Sequence, residues 1–480
     1  LIRRFYEEKV MFRVLGFAGV SLVTVCAALS ASAETLEEAL AYSYQNNPTL
    51  LAQRAYVRAV DENVAQALSG WRPKIAAVGN FTPSSTKTSG NSKNPVYNSM
   101  YGDNDARATG YGVGLNVSQP IFSGFKTVSQ TKAAENQVKA ERANLRLVEE
   151  NVLTEAATAY ADVLKSQSIL ELKVNNEKLL KRELERAYQR FEVGEITKTD
   201  VAQTEASYSG AVADRIMAEG DLQVAKANYL KVVGKNPENL SEPVAVEDLL
   251  PLSLDNAIEL AASYNPAVIA AEYSARSAWY NVNNATGDLL PDLEITATMR
   301  KDWNNPLQNY NTETYKASAN LTVPLYEAGA VYSKVRQAKH TANQYRILKE
   351  KAVQEAVNSV TSAWESLNAS RASIASIKMQ IDASARALTG VKNEELAGER
   401  TVLDVLNAEQ ALLNNRVSLV EAKRNELVAS FYVMSAVGRM TASNLELDTK
   451  VYDPLQNYDD VSGKWFGTDI NEDDLGNAGK

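Results

Sequence analysis

In 480 residues the sequence has one cysteine, Cys26, and one histidine, His340. A single thiol excludes a disulfide framework and any multi-cysteine metal site. A lone histidine on an apparent helix surface leaves no His-based metal centre or acid–base pair. There is also no phosphate-binding Gly-x-x-x-x-Gly-Lys-Ser/Thr loop and no Gly-x-Ser-x-Gly elbow. No residue set supports an enzyme, and neither a cofactor nor a catalytic centre is expected. Beyond residue 33 there is no run of 18 or more apolar residues, so a bilayer could be crossed only by strands. Basic charge is in deficit, with 50 Lys and Arg against 59 Asp and Glu and a net charge of −9. That balance argues against a nucleic-acid partner.

Glycine and proline are missing over two long stretches, residues 125–193 between Gly124 and Gly194, and residues 330–389 between Gly329 and Gly390. Nothing in either stretch tells a helix to stop. In the first, Leu145, Val148, Val152, Ala156, Ala159, Val163, Leu170 and Val174 recur at steps of three and four, while Leu153, Ala157, Tyr160 and Leu164 trace a neighbouring stripe. Such a helix runs roughly 100 Å at 1.5 Å per residue, a rod rather than part of a compact domain.

The opening residues read as an export signal. Met11 is the expected start, with residues 1–10 an upstream extension. Arg13, the apolar residues 14–29 and Ala31-Ser32-Ala33 before Glu34 supply the charged, apolar and cleavage regions. Cys26 lies inside this segment, and Val23-Thr24-Val25 is a poor lipoprotein box, so no lipid anchor is expected. Loss of residues 1–33 removes four of the 50 basic and two of the 59 acidic residues and takes the net charge from −9 to −11.

The remainder is a duplication. Leu36, Asn47, Pro48 and Pro73 recur as Leu254, Asn265, Pro266 and Pro291, each 218 positions later. After a central shortening the offset is 204, pairing Pro120 with Pro324, Gly194 with Gly398, Asp200 with Asp404, Glu205 with Glu409 and Gly234 with Gly438. The expected division is a first repeat over 34–243, a second over 244–442, and a tail over 443–480 whose Tyr452, Tyr458, Trp465 and Phe466 pack as a belt before a disordered acidic end. Each repeat reads short helix, helix, strand, loop, strand, long helix, tight turn, helix.

The strand pairs are expected at about 74–82 with 109–119 and about 291–300 with 314–324. Tyr111, Val113, Leu115 and Val117 alternate with Gly112, Gly114, Asn116 and Ser118, and Leu293, Ile295, Ala297 and Met299 with Glu294, Thr296 and Thr298. Ten-residue dyad strands suit an outer-membrane barrel wall, although alternation alone fits a half-buried soluble sheet as well. Polar loops over 82–108 and 300–314, with Tyr97, Tyr101, Trp303 and Tyr310 as girdle candidates, favour the barrel. Four strands cannot close one, since the smallest transmembrane barrels have about eight. An open edge in lipid leaves unpaired backbone groups, so closure must come from other copies of the chain.

With Thr35-Leu36-Glu37-Glu38-Ala39-Leu40, Asn47-Pro48 and Pro120-Ile121-Phe122-Ser123-Gly124 leading into the long helix, this order of elements resembles the TolC family of outer-membrane channel-tunnels over essentially the whole chain after residue 33. The resemblance implies a mainly α homotrimer. Its twelve-stranded β-barrel, four strands per chain in outer-membrane lipid, continues as a long periplasmic α-helical barrel. It implies a passive exit duct working with a periplasmic adaptor and an inner-membrane transporter of the RND or ABC class, in drug efflux or type I protein secretion. The alternative, a trimeric structural or adhesive stalk, predicts one strand block at one end of the chain rather than two interrupting the helices.

The tight turns are Phe191-Glu192-Val193-Gly194-Glu195-Ile196-Thr197 and Glu395-Leu396-Ala397-Gly398-Glu399-Arg400-Thr401. Each threonine is followed three residues later by a carboxylate, Asp200 or Asp404, which is capping-box spacing. The resemblance implies a second role for this end, a gated mouth in which Arg400, Thr199 and Asp200 match latch positions and Asp404 an acidic ring. Asn407 stands where a second ring aspartate can occur. Glu395 replaces an aromatic latch residue, which removes one latch and adds negative charge. The small residues Val193, Gly194, Ala397 and Gly398 are expected to receive the adaptor.

Overall fold

The duplication is repeated in the hydrogen bonds of the computed structural model, which describes residues 34–88, 93–96, 104–243, 249–303 and 311–470. The expected export signal, Tyr97, Tyr101, Tyr310 and the last ten residues lie outside the described residues. Asn47 ends α1 (Leu36–Asn46) and caps α2 (Pro48–Leu68), accepting from Thr49 N and donating from Nδ2 to Val232 O at 2.9 Å. Asn265, between α5 (Leu254–Tyr264) and α6 (Pro266–Gly287), caps through Ala267 N and donates to Ala436 O at 3.0 Å. Proline at the first helical position of both α2 and α6 suits a site whose N–H has no helical partner.

Two long hairpins follow, α3 (Lys126–Glu192) with α4 (Lys198–Val233), and α7 (Ala330–Leu396) with α8 (Val402–Ala436). Both long helices have 67 residues, roughly 100 Å. The second passes through Gly390, the glycine that bounds its uninterrupted stretch, and ends at the expected turn. One interior glycine costs only about 1 kcal/mol, too little to break a helix supported by dozens of flanking residues.

The core gathers where α1, α2, α3, α4 and α8 meet, around Leu40, Leu50, Leu153, Tyr160, Tyr229, Phe431 and Met434. The Tyr160 hydroxyl lies 2.8 Å from the carbonyl oxygens of Glu34 and Ser241, tying the first described residue to the end of the first repeat. The two copies are not equally enclosed. Along α7 only Val331, Ala356, Val360, Leu367 and Ile374 are buried, and Tyr332, Tyr345, Ile347, Leu348 and Met379 are exposed. The second long helix therefore leaves several large apolar side chains uncovered by the described residues of its own chain.

The strands β1 (Lys74–Thr88), β2 (Asn104–Ser123), β3 (Asp292–Trp303) and β4 (Thr312–Thr322) form one antiparallel sheet in that order, with β1 and β4 at its edges. The first pair is longer than its expected spans of 74–82 and 109–119. Residues 82–88 and 104–108, read from composition as loop, are strand. Their threonines suit extended backbone, and Pro83, which lacks an N–H, is tolerated because β1 is an edge. In the second pair β3 runs past residue 300 to Trp303, and β4 stops at Thr322, just before Val323-Pro324.

Register assigns the faces. Ile75, Val117, Ala297 and Ala317 lie side by side, as do Ala77, Leu115, Met299 and Tyr315. Ala76, Asn116, Thr298 and Lys316 share the opposite face. On the apolar face Tyr111 and Trp303 stack with ring centroids 5.6 Å apart, an aromatic pair inside the strands rather than in a loop. On the polar face Gly112 has no side chain, which lets Asn80 and Asp302 approach across it. Arg300 joins them, donating to Asn80 Oδ1 at 3.0 Å and Asp302 Oδ2 at 2.6 Å. Among the described residues no helix is long and apolar enough to cross a membrane.

In the tail, α9 (Gln456–Ser462) lies on α2. Asn457 donates to Asp61 at 2.9 Å, and Arg54 sits over the rings of Tyr44 and Tyr452 at 4.4 and 5.2 Å. Trp465 takes Arg72 over its ring at 4.7 Å.

Candidate functional site

Far from the sheet, the two hairpin tips repeat one backbone design. Gly194 and Gly398 adopt φ of 79° and 80°, left-handed values that cost glycine little. In each turn the N–H after the glycine closes a wide loop, Glu195 N to Arg190 O and Glu399 N to Glu394 O, both 2.9 Å. Thr197 and Thr401 then start α4 and α8 with full capping boxes. Asp200 Oδ2 accepts from Thr197 N at 2.9 Å and from its hydroxyl at 2.8 Å, and Asp404 does the same with Thr401.

The capping role of both aspartates is thus present in the geometry. Only Oδ2 carries the cap bonds, so capping does not use up the carboxylate. The Thr401 backbone N–H first, then its hydroxyl and the nearby Arg400 charge, hold the Asp404 carboxyl below the usual carboxylate range. It therefore stays ionised well into mild acid.

Thr199 and Asn407 are exposed, as are Val193, Gly194, Ala397 and Gly398. Val193 and Leu396 are 78 % and 80 % exposed, which leaves an aliphatic residue at the apex of each tip. Arg400 has a partner in its own turn, Glu394 Oε2 at 3.0 Å.

Glu395, expected to add negative charge, has a cation beside it. Its side chain is only 13 % exposed and its Oε1 lies 2.5 Å from Arg190 Nη1, on the other hairpin. Arg190 Nη2 reaches Glu195 at 2.8 Å. Further up, Lys392 lies 2.7 Å from Glu409, a carboxylate 5 % exposed whose acidity is weakened mainly by burial. Its counterpart in the first copy, Glu205, is exposed. Motif spacing gave no notice of Arg190, Lys392 or Leu396. A usable signal existed, because the aligned turns read Arg190-Phe191-Glu192 and Glu394-Glu395-Leu396, cation in one copy against anions in the other.

The family model described as "Outer membrane efflux protein" matches residues 39–235 and 257–439. The chain is 38% identical over 445 residues to the outer membrane efflux protein BepC of Brucella suis biovar 1, covering 92% of this chain and 94% of that one. It is 27% identical over 340 residues to the alkaline protease secretion protein AprF of Pseudomonas aeruginosa, covering 69% and 70%. The fold is similar to that of the Campylobacter jejuni CmeC outer membrane channel, with a TM-score of 0.76 at 16% sequence identity over 94% of this chain and 97% of that one.

Proposed function

Since the chain belongs to the outer membrane efflux protein family, we propose that its paired helical tips form the gated, adaptor-receiving periplasmic mouth of an outer-membrane exit duct. The duct itself is the family's function, a channel rather than an enzyme, with a barrel in the outer membrane and helices projecting into the periplasm. The observation that carries this reading is the sheet. It has one apolar and one polar face and two open edges, and it stands on hairpins roughly 100 Å long. Three copies joined edge to edge give twelve strands, enough to close around a polar lumen. The same assembly covers exposed apolar side chains of α7. The stalk alternative is disfavoured because strand pairs from both copies merge into one sheet whose inward face is polar, as a conduit needs.

At the mouth, three copies of Asp404 make a negative constriction that concentrates cations. In planar bilayers Asp404→Asn is expected to lower cation preference several-fold, on the order of the 10-fold field-focusing effect, and to relieve block by trivalent cations. Unchanged selectivity and block would remove Asp404 from the constriction. Arg400, Thr199, Asp200 and Asn407 complete the mouth, with Arg400 exchanging Glu394 for a neighbouring copy's acceptors. The exposed aliphatic apices, Val193 and Leu396 beside Gly194, Ala397 and Gly398, suit the helical tip of a periplasmic adaptor. Placing tryptophan at Gly194 and Gly398 is expected to lower export sharply while heat-resistant trimers persist; normal export would place the docking surface elsewhere.

The transporter at the inner membrane is of the RND or ABC class. Greater identity to BepC, named for efflux, than to AprF, named for protease secretion, favours small-molecule efflux as the main traffic. Deleting the gene and comparing drug sensitivity with the secreted proteome tests this choice. Unaltered drug sensitivity with loss of a secreted protein would reverse it.

A further inference from the structure

We propose that the C-terminal tail is a strap to the membrane surface, climbing α2 from the core to the foot of the sheet and seating Trp465 and Phe466 among the phospholipid headgroups of the leaflet that faces the periplasm. This rests on the reading of the sheet as part of an outer-membrane barrel. The tail gains height in step with α2. At the lower end, where Leu50 of α2 sits in the core, Tyr452 N donates to the Tyr44 hydroxyl at 3.0 Å. Further along, Asn457 Nδ2 donates to Asp61 Oδ2 at 2.9 Å, and the ring of Tyr458 lies under Arg142 at 4.9 Å. Arg72, two residues before β1, then donates from Nη1 to Lys464 O at 2.7 Å and covers the Trp465 ring. With 21 residues in α2 the climb is roughly 30 Å.

Side, height and chemistry together place the end of the strap on lipid. The side is set by Gln119, which continues the outward series Tyr111, Val113, Leu115 and Val117. Its Nε2 donates to Trp71 O at 3.0 Å, so the segment that grips the tail leaves the sheet on its outward face. The height follows from Phe81, Tyr111 and Trp303, which share one outward rung toward the far end. Arg72 lies nine residues before Phe81. At about 3.3 Å per residue and a tilt of about 40° that is roughly 23 Å, close to the ~25 Å apolar band that separates two aromatic girdles. Below Phe81 the outward face of β1 carries only Gly79, Ala77 and Ile75, so at this edge the lower rings come from outside the strand. There Trp465 and Phe466 are 59 % and 86 % exposed, near the exposed Trp71. Arg72 and Lys464 stand beside them, cations for phosphate next to rings that favour the headgroup layer. The other surface within reach is the next copy, since β1 is an edge and Leu325 and Tyr326 after β4 are themselves exposed.

The test uses purified full-length trimers in vesicles of phosphatidylethanolamine and phosphatidylglycerol. Cys26 is the sole cysteine, so in a Cys26→Ser background a nitrobenzoxadiazole dye on Phe466→Cys reports that position alone. Its emission is expected to fall several-fold when lipid carrying a nitroxide on the headgroup is included, and to change little with the nitroxide at the chain end. The same dye on Leu252→Cys, exposed just before α5, is expected to ignore both lipids. In unlabelled protein, brominated lipid is expected to quench tryptophan emission less in Trp465→Phe than in the wild type. Equal quenching of those two proteins, or a dye at position 466 that only aqueous iodide quenches, overturns the strap alone. So does a dye shielded from iodide and both lipids alike, which would put the rings against a neighbouring copy. Trimers that do not insert into vesicles overturn the barrel reading and the strap with it.

Discussion

Gly287→Ala is expected to abolish most heat-resistant trimer in the outer membrane, whereas Gly390→Ala, the same substitution on a neighbouring helix, is expected to be neutral or stabilising. A Cβ at Gly287 falls 2.6 Å from Gly124 O and 2.5 Å from Lys126 Cγ, and a Cβ at Gly124 falls 2.3 Å from Gly287 O. The end of α6 in the second copy and the entry to α3 in the first press backbone on backbone here, at the junction of helices and sheet. Asp288 fastens the same point, its carboxylate 3.2 Å from Lys126 and 2.6 Å from Lys334. Overpacking against backbone costs about 3 kcal/mol, the upper end of the usual range, because no side-chain rotation relieves it. Gly390 has open space around it, so alanine there gains about 1 kcal/mol of helix propensity. Quantifying unboiled trimer on gels from outer-membrane fractions checks both. Wild-type trimer levels for Gly287→Ala would mean the junction can separate freely.

Glu150→Gln is expected to stabilise the protein at neutral pH, and Glu150→Lys to prevent assembly. Glu150 is 0 % exposed within a single chain, beyond the reach of any neighbouring copy, and neither carboxylate oxygen has a hydrogen-bond partner. Burial raises its pKa from 4.5 to about 9, with Arg146 opposing and Glu149 reinforcing the shift. The sign follows from proton binding. The folded state keeps a proton that the unfolded state releases above about 4.5, so stability is full below that value and erodes as pH rises toward 9. At pH 7.5 the loss is about 4 kcal/mol, taking 1.36 kcal/mol per pH unit. Glutamine carries no proton to lose. Its variant is expected to gain most of that amount at pH 7.5, gain almost nothing at pH 4.5, and flatten the slope between. Thermal melts followed by circular dichroism across this range decide it. Parallel pH profiles for the two proteins would mean that Glu150 is not the proton held.

Much of this could be read without coordinates. The absence of glycine and proline over residues 125–193 set the long helix, the 218 and 204 offsets set the repeat, and Thr197 with Asp200 announced a cap that is present atom for atom. Strand spans were less legible, because Thr82 to Thr88 looks like loop in composition and becomes strand only through its ladder to Gly110 and the residues before it. At the tips the sequence supplied Gly194, Gly398, Asp200, Asp404 and the added charge of Glu395, but not the partner of that charge, Arg190.

The division follows range. Helix length, caps, turns and strand alternation depend on residues one to four positions apart, so the sequence alone determined them, and with them the two-copy plan and the duct it resembles. The partner of Glu395 lies 205 positions away. Which member of the Glu205 and Glu409 pair is buried depends on which face of which hairpin meets the other, as does the isolation of Glu150. Identical templates placed in unlike surroundings acquire different electrostatics, since burial and neighbouring charge, not residue type, set what a carboxylate does. Only the tertiary structure could decide that.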